Sequence, residues 1–359
     1  MTGTVTGTVA VGLCPGTGGC GAVAPLTWGR VFGSGTFDPA MLAVLVLLVA
    51  GYALGVMRYR RKVGHWQASR TACFTVSMVL FAFATLSFVG TYALVDFWVR
   101  AMQNALLLMT TPLMLASGAP VTLLLTTTGR FGRTLERAMA SRPAKILTFP
   151  AVVSGILLIT PYLLYFTGWY QLTMTSAFFN ETLHLELMTV GFLYFWTRIR
   201  VDPVPHAYPH LVSVWISFVE GIGDAGVALV LWLGGGLTAG AYYASLSTAS
   251  HASLYAPLSA GTQSGLAWNQ AIGGAVFWLV GDLTSVPLLF ALFRGLRREE
   301  NAAADVAQEN LEVVALEYTP AGGGGGIVQE RYRPWWETDP ELSSRYGSGG
   351  SEPEPDPAA

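Results

Sequence analysis

The chain has 359 residues, of which 52% are hydrophobic and only 12% are charged, whereas soluble globular proteins have about 25% charged residues. This composition indicates a membrane protein. The net charge of -2 argues against a nucleic-acid-binding protein, and five histidines and three cysteines exclude dense zinc-ribbon, haem-attachment and disulfide frameworks.

Residues 1–39 form the first predicted segment, an extracytoplasmic tail. The first 29 residues carry no charged side chain, so they lack the basic start that is typical of a signal peptide. Cys14 and Cys20 are separated by Pro-Gly-Thr-Gly-Gly, and an oxidising compartment favours a disulfide between them. A flexible tail with incidental cysteines fits equally well, and both interpretations stay open.

Long uncharged runs then predict transmembrane helices, since about 20 apolar residues cross a bilayer. Pro112 and Gly118-Ala119-Pro120 predict that the third run kinks and ends near Ala119, with 121–127 as a short re-entrant or interfacial piece. The seven runs are 40–57, 71–95, 97–125, 146–167, 176–197, 211–234 and 270–293.

Basic residues indicate the orientation of these runs. Arg and Lys cluster after the first, third, fifth and seventh runs, whereas 168–175 and 235–268 contain no Lys, Arg, Asp or Glu. Cytoplasmic connections carry the excess of basic residues. The sequence therefore predicts an all-α, polytopic membrane domain at 40–298 with seven transmembrane helices, the N-terminus outside and the C-terminus in the cytoplasm.

Residues 299–359 form the third predicted segment, an acidic cytoplasmic tail with 13 acidic and 3 basic residues. Acidic and apolar residues alternate at 299–318 and predict a short helix, and Gly322–Gly326 predicts a flexible linker. The rest is expected to be largely disordered. Its Trp335-Trp336 motif is interpreted as a partner-docking or lipid-interface element, or as a segment without a role.

Polar residues inside the predicted spans are costly in hydrocarbon and mark candidate functional sites. With the predicted orientation they converge in the outer leaflet, where Arg100 could pair with Asp224 or Glu181. The alternative is a network of hydrogen bonds between helices that only fixes their packing. The predicted polar cluster contains Arg100, Gln103, Asn104, Asn180, Glu181, Asp224, Asn269 and Gln270.

A metal is one candidate ligand for this cluster. His184 and Met188 lie one helical turn apart, and an imidazole with a thioether suits a soft or borderline ion such as copper. Met102 lies near the predicted outer mouth and is a further candidate ligand. Against copper, a single histidine in a membrane span is more often a packing residue.

An ordered set of motifs runs along the chain. The motifs are Trp28, Phe37-Asp38-Pro39, Gln103-Asn104 with Pro112 and Gly118-Ala119-Pro120, Asn180 to His184 with Gly191, Phe195 and Trp196, Tyr242-Tyr243, and Asn269-Gln270 with Gly273-Gly274 and Trp278. This set resembles a known family, the CtaG-like assembly factors of caa-type cytochrome c oxidase. The resemblance covers about 28–298 and implies a seven-span bacterial membrane protein.

The chain departs from that family at its histidines. The resemblance implies His-x-x-Gln-His in the third span and His-x-x-x-His in the fifth, with the imidazoles as the natural copper ligands. The matching positions here are Arg100, Asn104 and Asn180, which leaves only His184. This replacement predicts a paralogue whose metal site is lost or changed.

The resemblance implies a non-enzymatic protein of the bacterial plasma membrane that assembles or accompanies a haem-copper cytochrome c oxidase. Its expected partners are oxidase or other respiratory-complex subunits and the lipid bilayer, with copper handled at the extracytoplasmic face as a possible cargo. Nucleic acid is not an expected partner. The alternatives are a transporter of copper or another small solute, and a metal-free structural subunit of a respiratory complex.

Overall fold

The computed structural model describes residues 28–33, 35, 37–205, 210–233 and 263–317, and these residues contain helices and no β-strand. The predictions for Cys14, Cys20, Tyr242-Tyr243, the glycine linker and Trp335-Trp336 lie outside the described residues. The helices are α1 (Trp28–Gly33), α2 (Pro39–Lys62), α3 (Ala68–Leu86), α4 (Phe88–Tyr92), α5 (Phe97–Ala105), α6 (Thr111–Ser117), α7 (Pro120–Thr127), α8 (Arg130–Ala140), α9 (Arg142–Leu147), α10 (Pro150–Phe166), α11 (Trp169–Thr175), α12 (Ala177–Ile199), α13 (His210–Leu233) and α14 (Gln263–Glu317).

The all-helical prediction is confirmed for these residues, but the count of seven spans is not. By length and composition four segments can cross a membrane, in α2, α3 with α4, α13 and α14. Two bent pairs, α5 to α6 with α7 and α10 with α11, raise the number to six. Helix α12 is not among them because Glu181, Glu186 and Arg198 reduce its apolar character. The seven-span count and the orientation stay predictions.

The predicted break in the third span is confirmed. Ala119 adopts a left-handed conformation with φ of 55°, and α7 bends by 49° from the segment Phe97–Ser117. Proline at position 120 then starts α7, as its fixed φ favours. The Asp202 carboxylate accepts hydrogen bonds from the amides of Val121, at 2.9 Å, and Thr122, at 2.7 Å, and so caps α7 from a distant part of the chain.

A close backbone contact fixes the distance between α12 and the third span. Residues Leu106–Thr110 form a π-helical turn between α5 and α6. A Cβ atom added at Gly191 would collide with the carbonyl of Leu108 and with the ring of Pro112. Only glycine fits at this crossing. The contact therefore sets how closely the polar residues of α5 and α12 approach each other.

Helix α14 is longer than predicted. It runs from Gln263 to Glu317, 55 residues, and contains Pro287. The helix predicted at 299–318 is therefore a continuation of the last span, because this segment is rich in the good helix formers Ala, Glu, Leu and Gln. The chain divides into two compact units, Met1–Ala302 and Ala303–Ala359.

Candidate functional site

Arg100 on α5 is the centre of the candidate site and is 1% exposed. Its Nη1 donates to Oε1 of Gln103 at 2.7 Å and lies 3.5 Å from Nε2 of His184. Gln103 in turn donates from Nε2 to the carbonyl of Ala84 at 2.7 Å. Gln103 thus orients the guanidinium and anchors it to α3. Arg100 and Gln103 share a face of α5, as their spacing of three predicts.

His184 links Arg100 to two carboxyl groups. Its Nδ1 lies 3.8 Å from Oε2 of Glu181, one turn earlier on α12. Asp38 caps α2 by accepting from the amides of Ala40 and Met41, and it also interacts with Glu181. Burial raises the pKa of Asp38 above its ordinary value, and the neighbouring Glu181 raises it further. We call Asp38, Arg100, Gln103, Glu181 and His184 the Arg100 cluster.

Sequence reasoning missed Asp38 as a member of this site. The Phe37-Asp38-Pro39 motif marked it only as part of the family pattern. An aspartate before a proline at the start of a helix is a typical N-cap. Its approach to Glu181 depends on how α2 and α12 pack, and no local pattern reports that packing.

The predicted asparagines flank the Arg100 cluster. Asn104 donates from Nδ2 to the Tyr165 hydroxyl at 3.0 Å, and Asn180 donates from Nδ2 to Oε1 of Glu181 at 3.4 Å. Both residues are buried. The structure therefore brings Asn104 and Asn180 to the edges of the cluster, where they bond neighbouring side chains.

Asn269 and Gln270 on α14 bind other groups. Asn269 donates from Nδ2 to Oδ1 of Asp96 at 3.0 Å and accepts from the amide of Trp98 at 2.9 Å. Gln270 donates to the carbonyl of Leu231 at 3.2 Å. These bonds tie α14 to the start of α5 and to α13. The side chain of Asp224 lies outside the described residues, so its predicted pairing with Arg100 has no structural test.

The three candidate copper ligands do not form one site, because Met102 lies in a different cluster from Met188. Met188 is buried in the main core one turn beyond His184, whereas Met102 packs against Phe88 and Val89 in a separate apolar cluster. Among the described residues no three His, Cys, Asp or Glu side chains are arranged to hold a metal ion. The guanidinium next to His184 also opposes a cation. The residues described here do not fit a preformed copper centre.

Several buried polar atoms of this region have no hydrogen-bond partner in the described part of the protein. They include Nε and Nη2 of Arg100, Nδ1 of His184 and Oε2 of Glu181. Buried polar groups in proteins are normally paired, and an unpaired one indicates a bound water, ion or ligand or a functional role. No carboxylate lies within 4.0 Å of Arg100 among the described residues. The Arg100 cluster therefore retains hydrogen-bonding capacity.

A second polar cluster lies near the other end of α12. Arg198 is 1% exposed and forms an ion pair with Oε1 of Glu220 at 2.9 Å. The Tyr194 hydroxyl donates to Oε2 of Glu220 at 2.6 Å, and Nη1 of Arg198 donates to Ser217 at 2.9 Å. Ser154 accepts from Nη2. We call Ser154, Tyr194, Arg198, Ser217 and Glu220 the Arg198 cluster.

Sequence reasoning did not identify the Arg198 cluster. Arg198 follows the fifth run, where the basic residues predict a cytoplasmic connection. The available signal was Tyr194 and Arg198 at a spacing of four on one face of α12. The same spacing explains a cation–π contact, in which Cζ of Arg198 lies 4.9 Å from the ring centre of Tyr194.

An apolar layer separates the two clusters. Ten residues divide His184 from Tyr194 along α12, which is about 15 Å at the usual helical rise. Leu187 and Met188 lie in this interval and are buried, and the backbone of Leu108 from the third span meets Gly191 there. The buried side of α12 is therefore apolar between the two clusters.

Comparisons with known proteins give a family and distant relatives. The model of the cytochrome c oxidase caa3 assembly factor family (Caa3_CtaG) matches residues 50–299. An uncharacterized protein of Mycobacterium leprae is 25% identical over 285 residues, which are 77% of this chain and 41% of that protein. An uncharacterized protein of Mycobacterium bovis is 25% identical over 308 residues, 80% of this chain and 44% of that protein. The chain thus spans less than half of these relatives, and no solved structure matches it significantly.

Proposed function

This chain belongs to the cytochrome c oxidase caa3 assembly factor family, and from that premise we propose that it assembles or accompanies a haem-copper cytochrome c oxidase. We place it in the bacterial plasma membrane as a multi-pass protein with its Arg100 cluster toward the extracytoplasmic side. Family membership suggests a non-catalytic role. The proposed partners are oxidase subunits within the lipid bilayer.

The observation that supports a working site is the incomplete hydrogen bonding of the Arg100 cluster. A buried arginine that serves only packing is normally paired with a carboxylate, as Arg198 is with Glu220 at 2.9 Å. Arg100 has no carboxylate within 4.0 Å among the described residues, and its Nε and Nη2 have no hydrogen-bond partner there. We infer that this end of the bundle is where the protein acts during oxidase assembly.

Co-purification and a deletion strain test the oxidase role. We expect tagged protein from solubilised native membranes to enrich oxidase subunits, and the deletion strain to lose oxidase activity. An unrelated multi-pass protein with the same tag serves as the control. No enrichment over that control, together with normal oxidase activity in the deletion strain, would refute the proposal.

Copper handling is the narrower form of this proposal and rests on His184 and Met188. His184 is buried, and its Nδ1 has no hydrogen-bond partner among the described residues. The proximity of Arg100 to Nε2 disfavours a cation on that side of the ring. Any copper would therefore approach from the Nδ1 side, where Glu181 adds negative charge.

Metal analysis of the purified protein tests copper handling. Stoichiometric copper that disappears in His184→Ala would support this site. His65→Ala is a suitable control because His65 lies in the exposed connection between α2 and α3. If neither the wild-type protein nor His184→Ala contains copper, the accessory role is metal-free.

A transporter is the second candidate function, and the Arg198 cluster is the observation that favours it. A transport path requires polar groups in both halves of the bundle, and Glu220 and Tyr194 supply them beyond the apolar layer. The buried layer around Leu187 and Met188 opposes this role in the conformation described. Copper uptake into proteoliposomes above the rate of empty vesicles would establish transport.

The third proposal is a metal-free structural subunit that docks through the Trp335-Trp336 motif, which lies outside the described residues. Deleting 319–359 tests it. We expect the respiratory complex to lose this protein on native gels if the tail docks, whereas an intact complex would show that the membrane domain alone makes the contact.

A further inference from the structure

Asp282 is an acidic residue in the middle of the last membrane-crossing segment. It lies 14 residues after Trp268 and 12 before Arg294, which is about 21 Å and about 18 Å along α14. The hydrocarbon core of a bilayer is about 30 Å thick. Asp282 therefore lies near the bilayer midplane. Its side chain is exposed and makes no hydrogen bond or ion pair with the described residues.

The helical geometry places Asp282 at the centre of the exposed face of α14. Seven residues rotate a helix by about 700°, so Asp282 lies within about 20° of Ala275. Phe277, Thr284 and Leu288 lie on the opposite side and are buried, and the Thr284 hydroxyl lies 2.9 Å from that of Thr110. We define the exposed face of α14 as Ala275, Leu279, Asp282, Val286 and Phe293, which are all exposed.

A carboxylate at this position conflicts with its surroundings. Leu279 is 59% exposed and Val286 is 66% exposed, so the face around Asp282 is otherwise apolar and suited to lipid or to another helix. Ionisable residues within membrane spans nearly always face the protein interior or a water-filled cavity. Among the described residues, Asp282 faces neither an interior nor a cavity. A lipid-facing carboxylate is unfavourable, and a partner that covers it removes the conflict.

The chemistry of the face specifies the partner. An ionised carboxylate such as that of Asp282 is a hydrogen-bond acceptor. Leu283 directly follows Asp282 on this helix. Its carbonyl lacks the usual intrahelical donor, because Pro287 has no amide hydrogen. The Asp282 carboxylate and the Leu283 carbonyl therefore both call for a hydrogen-bond donor from the partner. A second copy of this chain related by twofold symmetry would instead place two Asp282 carboxylates together.

We propose that the exposed face of α14 binds a transmembrane helix of a partner protein, and that this helix presents a hydroxyl, amide or basic donor to Asp282 at mid-membrane depth. The inference rests on the proposed function for the identity of that partner, an oxidase subunit. The apolar residues on either side of Asp282 pack against the partner helix, and the carboxylate fixes its register. This surface is separate from the Arg100 cluster.

Carbodiimide labelling tests whether Asp282 is covered. Dicyclohexylcarbodiimide enters bilayers and detergent micelles and modifies accessible carboxyl groups. We expect Asp282 of the purified protein to be labelled and Asp282 in native membranes, at natural expression levels, to be labelled severalfold less. Peptide mass spectrometry measures the modified fraction. Equal labelling in both samples would show that no helix covers Asp282 and would overturn the inference.

Substitution of Asp282 separates docking from folding. We expect Asp282→Leu to fold with unchanged or higher thermal stability in detergent, because a carboxylate is replaced by an apolar side chain, and to lose the co-purified oxidase subunits. Asp282→Asn keeps an acceptor and should retain part of the association. Leu279→Val on the same face is the apolar control and should retain all of it.

The outcomes distinguish this inference from the proposed function. Oxidase subunits that remain bound to Asp282→Leu at the wild-type level would overturn the docking role while leaving the oxidase role intact. If Asp282 is protected in membranes but the wild-type protein enriches no oxidase, the oxidase role fails and the face binds another membrane protein. A crosslinked dimer of this chain through residue 279 or 286 would show that a second copy covers the face and would overturn the inference.

Discussion

Arg100 and Arg198 are both almost fully buried, yet their surroundings differ in kind. Arg198 forms an ion pair with Glu220 at 2.9 Å and donates to two serine hydroxyls. Arg100 contacts an amide oxygen and an imidazole and has no carboxylate within 4.0 Å among the described residues. Arginine thus links two helices through an ion pair at one end of α12. At the other end it keeps hydrogen-bond donors that no described residue uses.

The difference teaches that burial alone does not identify a functional residue. A buried charge that is paired and hydrogen-bonded is part of the architecture, and its loss damages folding. A buried charge that keeps unpaired donors retains the capacity to bind something else. Identical substitutions at Arg100 and Arg198 therefore test the distinction directly.

Arg198→Met should have the largest effect. The substitution leaves the Glu220 carboxylate buried without its cation, and breaking such a pair costs about 3–5 kcal/mol of unfolding free energy. Unfolding of the purified protein in detergent, followed by circular dichroism, measures the loss. The double variant Arg198→Met/Glu220→Leu removes both charges and should recover most of the stability. A single variant as stable as the wild type would contradict the architectural role.

Asp202→Asn should have an intermediate effect, because it weakens the cap on α7. Removing a helix cap costs about 0.5–2 kcal/mol. Burial raises the pKa of Asp202 above its ordinary value of 3.8, and its hydrogen bonds to Thr122 and Val121 partly offset this shift. Unfolding measured in detergent for both proteins at pH 7 should give the lower stability for the variant.

The pH dependence of the same pair of proteins provides a second check. The folded protein binds a proton at Asp202 more readily than the unfolded chain does. The contribution of Asp202 to stability therefore rises as the pH falls through the raised pKa toward 3.8. Asn cannot titrate, so the wild type should gain stability relative to Asp202→Asn between pH 7 and about pH 4. A difference in unfolding free energy that stays constant with pH would show that burial does not raise the pKa of Asp202.

Arg100→Met should have the smallest effect on stability. It removes a buried charge that has no carboxylate partner among the described residues, so the loss of the Gln103 hydrogen bond, about 1 kcal/mol, is offset by the removal of that charge. We expect normal unfolding but no rescue of oxidase activity in the deletion strain. Full rescue by a stable Arg100→Met protein would assign Arg100 to packing and remove the contrast with Arg198.

Local features were predictable from the sequence. The break after Gly118 follows from the conformational limits of proline and the flexibility of glycine, and the pairing of Arg100 with Gln103 follows from their spacing on one helix. The convergence of Arg100 and His184 needed the topology as well. It followed from the expectation that the third and fifth spans begin at the same side of the membrane.

Contacts between distant segments were not predictable. Asp202 caps α7 across 81 positions, and Asp38 meets Glu181 only because α2 packs near α12. Arg198 was assigned to a connection because basic residues at the end of a span usually lie in the cytoplasm. Its burial depends on Glu220, a partner in a different helix. No periodicity within one segment carries that information.

The apolar layer between the two clusters has an electrical consequence. In an energised membrane, moving one charge through the full potential corresponds to about 2.3 kcal/mol per 100 mV. Leu187 and Met188 are buried, so α12 presents no polar side chain on its buried side in the interval between the two clusters. If the helices cross the membrane as proposed, a charge that moved between Arg100 and Arg198 would cross part of this potential without a polar side chain of that side to stabilise it.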